Sequence, residues 1–124
     1  RVGNAVRDVP LAGNATLTGG YRQSTVTITS STAITPNGMS GQLQYYVNSV
    51  NTTIMVPSTV ADTSVDIWVT NSTAPGTISF STNYLIGSTS AVGALSTGNS
   101  ANGLISIRSI NGKATYMLQN LSTF

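Results

Sequence analysis

The chain has 124 residues, a length typical of one domain, and a net charge of +2. Only 6% of its residues are charged, against about 25% in ordinary domains, and it contains no histidine, cysteine or glutamate. This composition disfavours acid–base and thiol catalysis, zinc sites and disulfides, so we expect no enzyme activity, cofactor or metal. Five scattered cations disfavour nucleic-acid binding. The sequence contains no run of 18 apolar residues, so it predicts no membrane-spanning helix.

Serine and threonine supply 36 residues, and strong helix formers such as glutamate and lysine are almost absent, which favours β-structure. Residues 1–13 show no hydrophobic period, and we interpret them as an N-terminal arm with Arg1, Arg7 and Asp8 as candidate attachment residues. Residues 14–124 then form the domain. The start at Arg1 indicates a processed product or a fragment.

Alternating or apolar runs between turn residues predict the strands. In chain order these runs are 24–30, 41–47, 50–56, 65–70, 77–80, 104–110 and 113–121, with a short strand or bulge at 83–86. Residues 88–103, rich in glycine, serine and alanine, predict a loop. Seven or eight short strands without a repeat of fixed period indicate an all-β fold, an antiparallel β-sandwich or a jelly roll.

The C-terminal pair of strands carries the clearest signal. Asn111-Gly112 lies between two alternating runs, and both residues tolerate the positive φ that a two-residue hairpin requires. That loop predicts Ile107 opposite Tyr116 and Ile105 opposite Leu118, so these four side chains share one face. The register from the turn therefore agrees with the register from burial.

Alternation also assigns faces within the other strands. Val65, Ile67 and Val69 are predicted to point inward, which leaves Asp66, Trp68 and Thr70 outward. In run 41–47, Leu43, Tyr45 and Val47 share one face, and Tyr46 is assigned to the outer face of the domain.

Trp68 is the leading candidate for a contact residue. An outward tryptophan can anchor a protein interface, stack on a sugar ring or lie under a loop of its own chain. The further candidates are Tyr46, Arg108 and Met117, and Leu104 and Ile110 are also placed outward. Outward apolar residues on a nearly uncharged surface predict a homo-oligomer.

Asp62 and Asp66 are the only carboxylates within the strand region. On one extended strand their Cα atoms would be ~13 Å apart. Glycosidase carboxyl groups are about 5 to 9.5 Å apart, so turn and surface positions are the better interpretation. One ion held by these two residues and backbone carbonyls stays an alternative.

Four segments resemble virion proteins of tailed bacteriophages, the small β-sandwich domains of fibres and head decorations. The segments are Leu17-Thr18-Gly19-Gly20, residues 65–71, residues 75–80 and the hairpin 105–116, within a match over residues 14–121. The resemblance implies a place on the virion surface, contacts with other virion proteins and a homotrimer. It implies no functional residue, and it leaves fibre or spike domain and capsid decoration both open.

Three functions follow. The first is a bacteriophage structural protein that acts by assembly, with the arm docked to the particle. The second is a carbohydrate-binding module that recognises a host-surface glycan through Trp68 and the tyrosines. The third is a degenerate glycan hydrolase that uses Asp62 and Asp66.

Overall fold

The computed structural model describes residues 18–19, 23–38, 40–57, 62–85 and 94–121. These ranges hold eight strands in two sheets and no helix. The strands are β1 (Val26–Ile28), β2 (Ala33–Ile34), β3 (Leu43–Asn48), β4 (Thr52–Ile54), β5 (Thr63–Asn71), β6 (Ile78–Phe80), β7 (Asn102–Ile110) and β8 (Lys113–Leu121). The all-β prediction is confirmed. Arg1, Arg7 and Asp8 of the predicted arm lie outside the described residues.

The first six strands alternate between the two sheets. One sheet has five strands in the order β1-β3-β5-β7-β8, and the other has three in the order β2-β4-β6. All neighbours among β1 to β6 are parallel, and only β5-β7 and β7-β8 are antiparallel. The fully antiparallel pairing predicted for a sandwich or jelly roll is therefore not what forms. Each parallel neighbour is reached by a crossover through the other sheet, as parallel pairing requires a long connection.

The successive turns of this winding differ in length. Val26 pairs with Gln44, 44 − 26 = 18 residues further on, whereas Leu43 pairs with Asp66, 66 − 43 = 23 residues further on. Because the spacing grows along the chain, the winding leaves no repeat of fixed period in the sequence.

The core lies between the two sheets and draws side chains from both. Its most buried members are Tyr46, Ile54, Val65, Ile67, Ile105 and Ile107. The predicted inward face of β5 is confirmed, and so is the hairpin register, because Ile107 pairs with Tyr116 and Ile105 with Leu118. Tyr116 and Leu118 are half-buried against the same core.

Three aromatic rings join the sheets at one end of this core. The rings of Phe80 on β6 and Tyr116 on β8 stack with centroids 3.7 Å apart. Tyr84 meets both rings edge-on, at 5.9 and 5.1 Å, and its hydroxyl donates a hydrogen bond to the Met55 carbonyl at 2.5 Å. The sequence predicts a short strand or bulge at residues 83–86. Residues 82–84 instead form a turn, so the prediction is wrong for that part. Ile86 lies outside the described residues.

The polar end of the core is a stack of two asparagines on neighbouring parallel strands. Asn48 and Asn71 are register partners, and Asn48 Nδ2 donates to Asn71 Oδ1 at 2.9 Å and to the Gly76 carbonyl at 2.8 Å. Asn71 Nδ2 in turn donates to the carbonyls of Ser96 and Gly98 at 2.7 and 2.8 Å. These bonds satisfy the two amide nitrogens and Asn71 Oδ1, which would otherwise be costly to remove from water, whereas Asn48 Oδ1 has no partner among the described residues.

The hairpin turn gives a direct test of the fold. Asn111 has φ 50° and Gly112 has φ 72°, left-handed values that glycine and asparagine tolerate better than other residues do. We expect Gly112→Ala to lower the free energy of unfolding by about 1 kcal/mol in urea denaturation. The matched control is Gly98→Ala, whose added Cβ would lie 3.4 Å from Ser96 Oγ, an ordinary contact. Equal losses in both variants would contradict the turn.

A second test uses pH. Burial, and secondarily the charge of Tyr116, raises the pKa of the Tyr84 phenol above its ordinary value. A group with a raised pKa in the folded state contributes stability below its unfolded pKa of about 10, and loses it as pH rises further. We expect the free energy of unfolding to fall above pH ~10 by up to ~1.4 kcal/mol per pH unit, and Tyr84→Phe to fall less steeply. Identical slopes for the two proteins, measured at one ionic strength, would contradict this assignment.

Candidate functional site

The candidate site is the solvent-facing side of the five-stranded sheet, here called the outer face. Its side chains alternate with the core residues of β3, β5, β7 and β8. They include Leu43, Tyr45, Val47, Asp66, Trp68, Thr70, Leu104, Ser106, Arg108, Thr115, Met117 and Gln119.

Trp68 lies near the middle of this face, 43% exposed, between Tyr45 on β3 and Leu104 on β7. Its Nε1 donates to Asn102 Oδ1 at 3.2 Å, and the Thr70 hydroxyl donates to the same oxygen at 2.8 Å. Because the indole N–H is already bonded, the part of Trp68 that stays available to a partner is its ring. The outward placement of Trp68 predicted from alternation is confirmed.

A shallow groove of about 440 Å³ runs along the ring of Trp68. Its lining is mainly apolar and includes one carboxylate. The residues are Thr25, Leu43, Gln44, Tyr45, Asp66, Trp68 and Leu104. A neighbouring hollow shares Leu43 and Asp66 with it and extends towards Gln23 and Ser64. The outer face therefore offers an apolar, aromatic surface with polar groups beside it.

Two opposite charges lie next to each other on this face. Asp66 pairs with Ser106 across β5 and β7, and Arg108 pairs with Ser64, so the two charged residues are diagonal neighbours. Diagonal neighbours in an antiparallel pair have Cα atoms about 7–8 Å apart. Arg108 is exposed and Asp66 is half-buried.

Tyr46 is the one candidate contact residue that the structure contradicts. Its side chain is 0% exposed and its hydroxyl is hydrogen-bonded to Thr52 Oγ1 at 2.7 Å, so it belongs to the core. The outward residues of β3 are Leu43 and Val47, each 41% exposed, with Tyr45 half-buried. Trp68, Arg108 and Met117, by contrast, do lie together on the outer face.

Sequence reasoning missed Leu43, Tyr45 and Val47 because the face of β3 is set by hydrogen bonds. Buried Gln44 donates through Nε2 to the carbonyls of Asn37 and Gly41, at 3.1 and 2.8 Å. The alternate residues Gln44, Tyr46 and Asn48 therefore point inward. They do so although Leu43 and Val47, on the other side of the strand, are more apolar. The nearest signal in the sequence is the turn 36–38 that supplies one of these carbonyls.

Asp62 and Asp66 have different surroundings. Asp62 precedes β5, is exposed, and accepts a hydrogen bond from the Asn111 backbone N–H at 2.8 Å, which ties it to the hairpin turn. Asp66 lies on the outer face beside the groove. In the ranges given above, no group of three or more acidic, histidine or cysteine residues could hold a metal ion.

Comparison with protein-family models, with curated proteins and with solved structures found no match. Among the described segments, none is a helix with the length and hydropathy needed to cross a membrane.

Proposed function

We propose that this protein is a structural protein on the surface of a tailed-bacteriophage particle, either a fibre or spike domain or a capsid decoration protein. It acts by assembly and binding and has no enzymatic activity. The resemblance of residues 65–71, 75–80 and 105–116 to such virion proteins supports the location. In this proposal the two sheets are the layers of a β-sandwich, and residues 1–13 attach it to other virion proteins.

The observation that carries the proposal is the exposed apolar surface of the outer face. Leu43 and Val47 are 41% exposed, Trp68 is 43% exposed and Met117 is 72% exposed. The charged side chains of the outer face are Asp66, Arg108 and, at the hairpin end of β8, Lys113. A patch of aromatic, methionine and aliphatic side chains with few charges has the composition of a protein interface.

Self-association is the simplest use of such a surface. A chain with 6% charged residues has little charge to keep copies apart, so contact between copies costs little electrostatic repulsion. We therefore propose a homo-oligomer, for which the resemblance favours a trimer. Catalysis has weaker support, because Asp62 is bonded to the hairpin turn whereas Asp66 lies beside the groove.

Two methionines on opposite sides of the domain test the proposal. Met117 is on the outer face, and Met55 is 38% exposed directly after β4 of the three-stranded sheet. Burying a methionine contributes about 1.5–3 kcal/mol. We expect Met117→Ser to weaken self-association about 10-fold or more in sedimentation velocity. Met55→Ser is the matched control and should associate as the wild type does. A wild-type chain that stays monomeric at micromolar concentration would contradict assembly.

A second candidate function is carbohydrate binding, and the groove beside Trp68 favours it. The ring of Trp68 is held in place by its bond to Asn102, while Thr25 and Asp66 line the same groove. A fixed aromatic ring can stack on the apolar face of a sugar while neighbouring polar groups bond its hydroxyls. Under this alternative the partner is a host-surface glycan.

A glycan array with the purified chain separates the two candidates. Under carbohydrate binding we expect Trp68→Ala to lose the bound glycan and Trp68→Phe to retain part of the affinity, because stacking needs a ring. Met117→Ser serves as the control and should bind glycan like the wild type, since Met117 does not line the groove. Absence of binding to every glycan would remove this candidate and leave assembly.

A further inference from the structure

We propose that the outer face packs against the outer face of a second copy of the same chain, with Asp66 of each copy paired to Arg108 of the other. This inference rests on the proposed assembly function and names its partner and its contact. Because a twofold contact between identical faces closes with two copies, it predicts a dimer, where the resemblance alone favours a trimer. The occupant is identified by the charges that the face carries.

The charges of the outer face are self-complementary. A twofold axis that lies between the two outer faces and bisects the Asp66–Arg108 vector places each carboxylate over the guanidinium of the partner copy. One axis therefore forms two equivalent Asp66–Arg108 pairs between the copies. This is the property of a contact in which the same patch of both copies meets. Each copy presents one charge of each sign at diagonal positions on β5 and β7, with Cα atoms about 7–8 Å apart, so both pairs fit within one twofold contact.

The outer face is large enough for a specific contact between two copies. The face is five strands wide and at most nine residues long, which is about 24 Å by 26 Å, or roughly 600 Å² per copy. Two such faces bury about 1,200 Å², at the lower end of the range for specific interfaces. We therefore expect a reversible contact, so that diluting the protein should dissociate the dimer within a measurable concentration range.

Apolar side chains surround the two charged residues. Leu43 and Met117 lie in the same cross-strand row as Asp66, on β3 and β8, and Trp68 lies two residues along β5. Face-to-face packing would bury these apolar side chains around the two charge pairs and strengthen the pairs by excluding water.

The decisive experiment uses two single charge reversals, separately and mixed. Asp66→Arg places the new guanidinium against Arg108 of the partner copy, and Arg108→Asp places the new carboxylate against Asp66 of the partner copy. We expect each variant alone to self-associate about 10- to 100-fold more weakly than the wild type, because like charges are juxtaposed. Each variant's own dimer holds two like-charge pairs. In a mixed dimer the new guanidinium at position 66 meets the new carboxylate at position 108, and the unaltered Arg108 meets the unaltered Asp66, so both pairs are attractive. Native mass spectrometry of an equimolar mixture should therefore show mixed dimers in excess of either variant's own dimers.

Two further proteins keep the result interpretable. The double variant Asp66→Arg/Arg108→Asp should self-associate like the wild type, which excludes misfolding as the cause of the single losses. Arg108→Lys keeps the positive charge at the same position of the outer face, so its self-association should stay close to that of the wild type. The single tryptophan reports the contact directly, since burial of Trp68 should shift its emission to shorter wavelength as concentration rises.

The outcomes separate this inference from the proposed function. Wild-type-like association of both single variants, or a mixture no tighter than its components, would overturn the charge-paired contact. A wild-type trimer that ignores the charge reversals would do the same and leave assembly standing on another surface. A monomeric wild type would overturn both.

Discussion

The orientation of β3 decides what the outside of this molecule is made of. Tyr46 enters the core completely and bonds to Thr52, and Asn48 bonds to Asn71 on the neighbouring strand. Asn48 Oδ1 has no hydrogen-bond partner within the part of the chain that the structure describes, so the inward turn of β3 carries a desolvation cost. A one-residue change of register would exchange every side chain of β3 between core and solvent.

That orientation creates the apolar surface on which the proposed function rests. With Tyr46 inside, Leu43 and Val47 face outward beside Trp68 of β5, and an apolar surface extends across three neighbouring strands to Leu104. The Asn102 side chain fixes the indole, so the surface is rigid where it is most apolar. A rigid, preformed apolar surface loses little conformational entropy when it binds, which suits assembly into a particle.

How much the sequence predicts depends on where each strand finds its hydrogen bonds. The hairpin at Asn111-Gly112 is a local signal, and both its register and its buried face are as predicted. The outward position of Trp68 follows from clean alternation in β5. The face of β3 does not follow, because Gln44 and Asn48 are held inward by backbone carbonyls outside their own strand. Hydrophobic alternation could not predict the parallel pairing either, since a strand alternates with period two whichever direction its neighbour runs.

Chemical modification of two adjacent tyrosines tests the orientation of β3 in the unaltered protein. Tyr45 is half-buried on the outer face and Tyr46 is fully buried in the core. The dilute folded chain is nitrated with tetranitromethane, the two positions are resolved by tandem mass spectrometry, and the urea-unfolded chain gives the reference rates. The account predicts that folding protects Tyr46 strongly and Tyr45 only partly. Nitration of Tyr46 as fast as Tyr45 in the folded chain would contradict it.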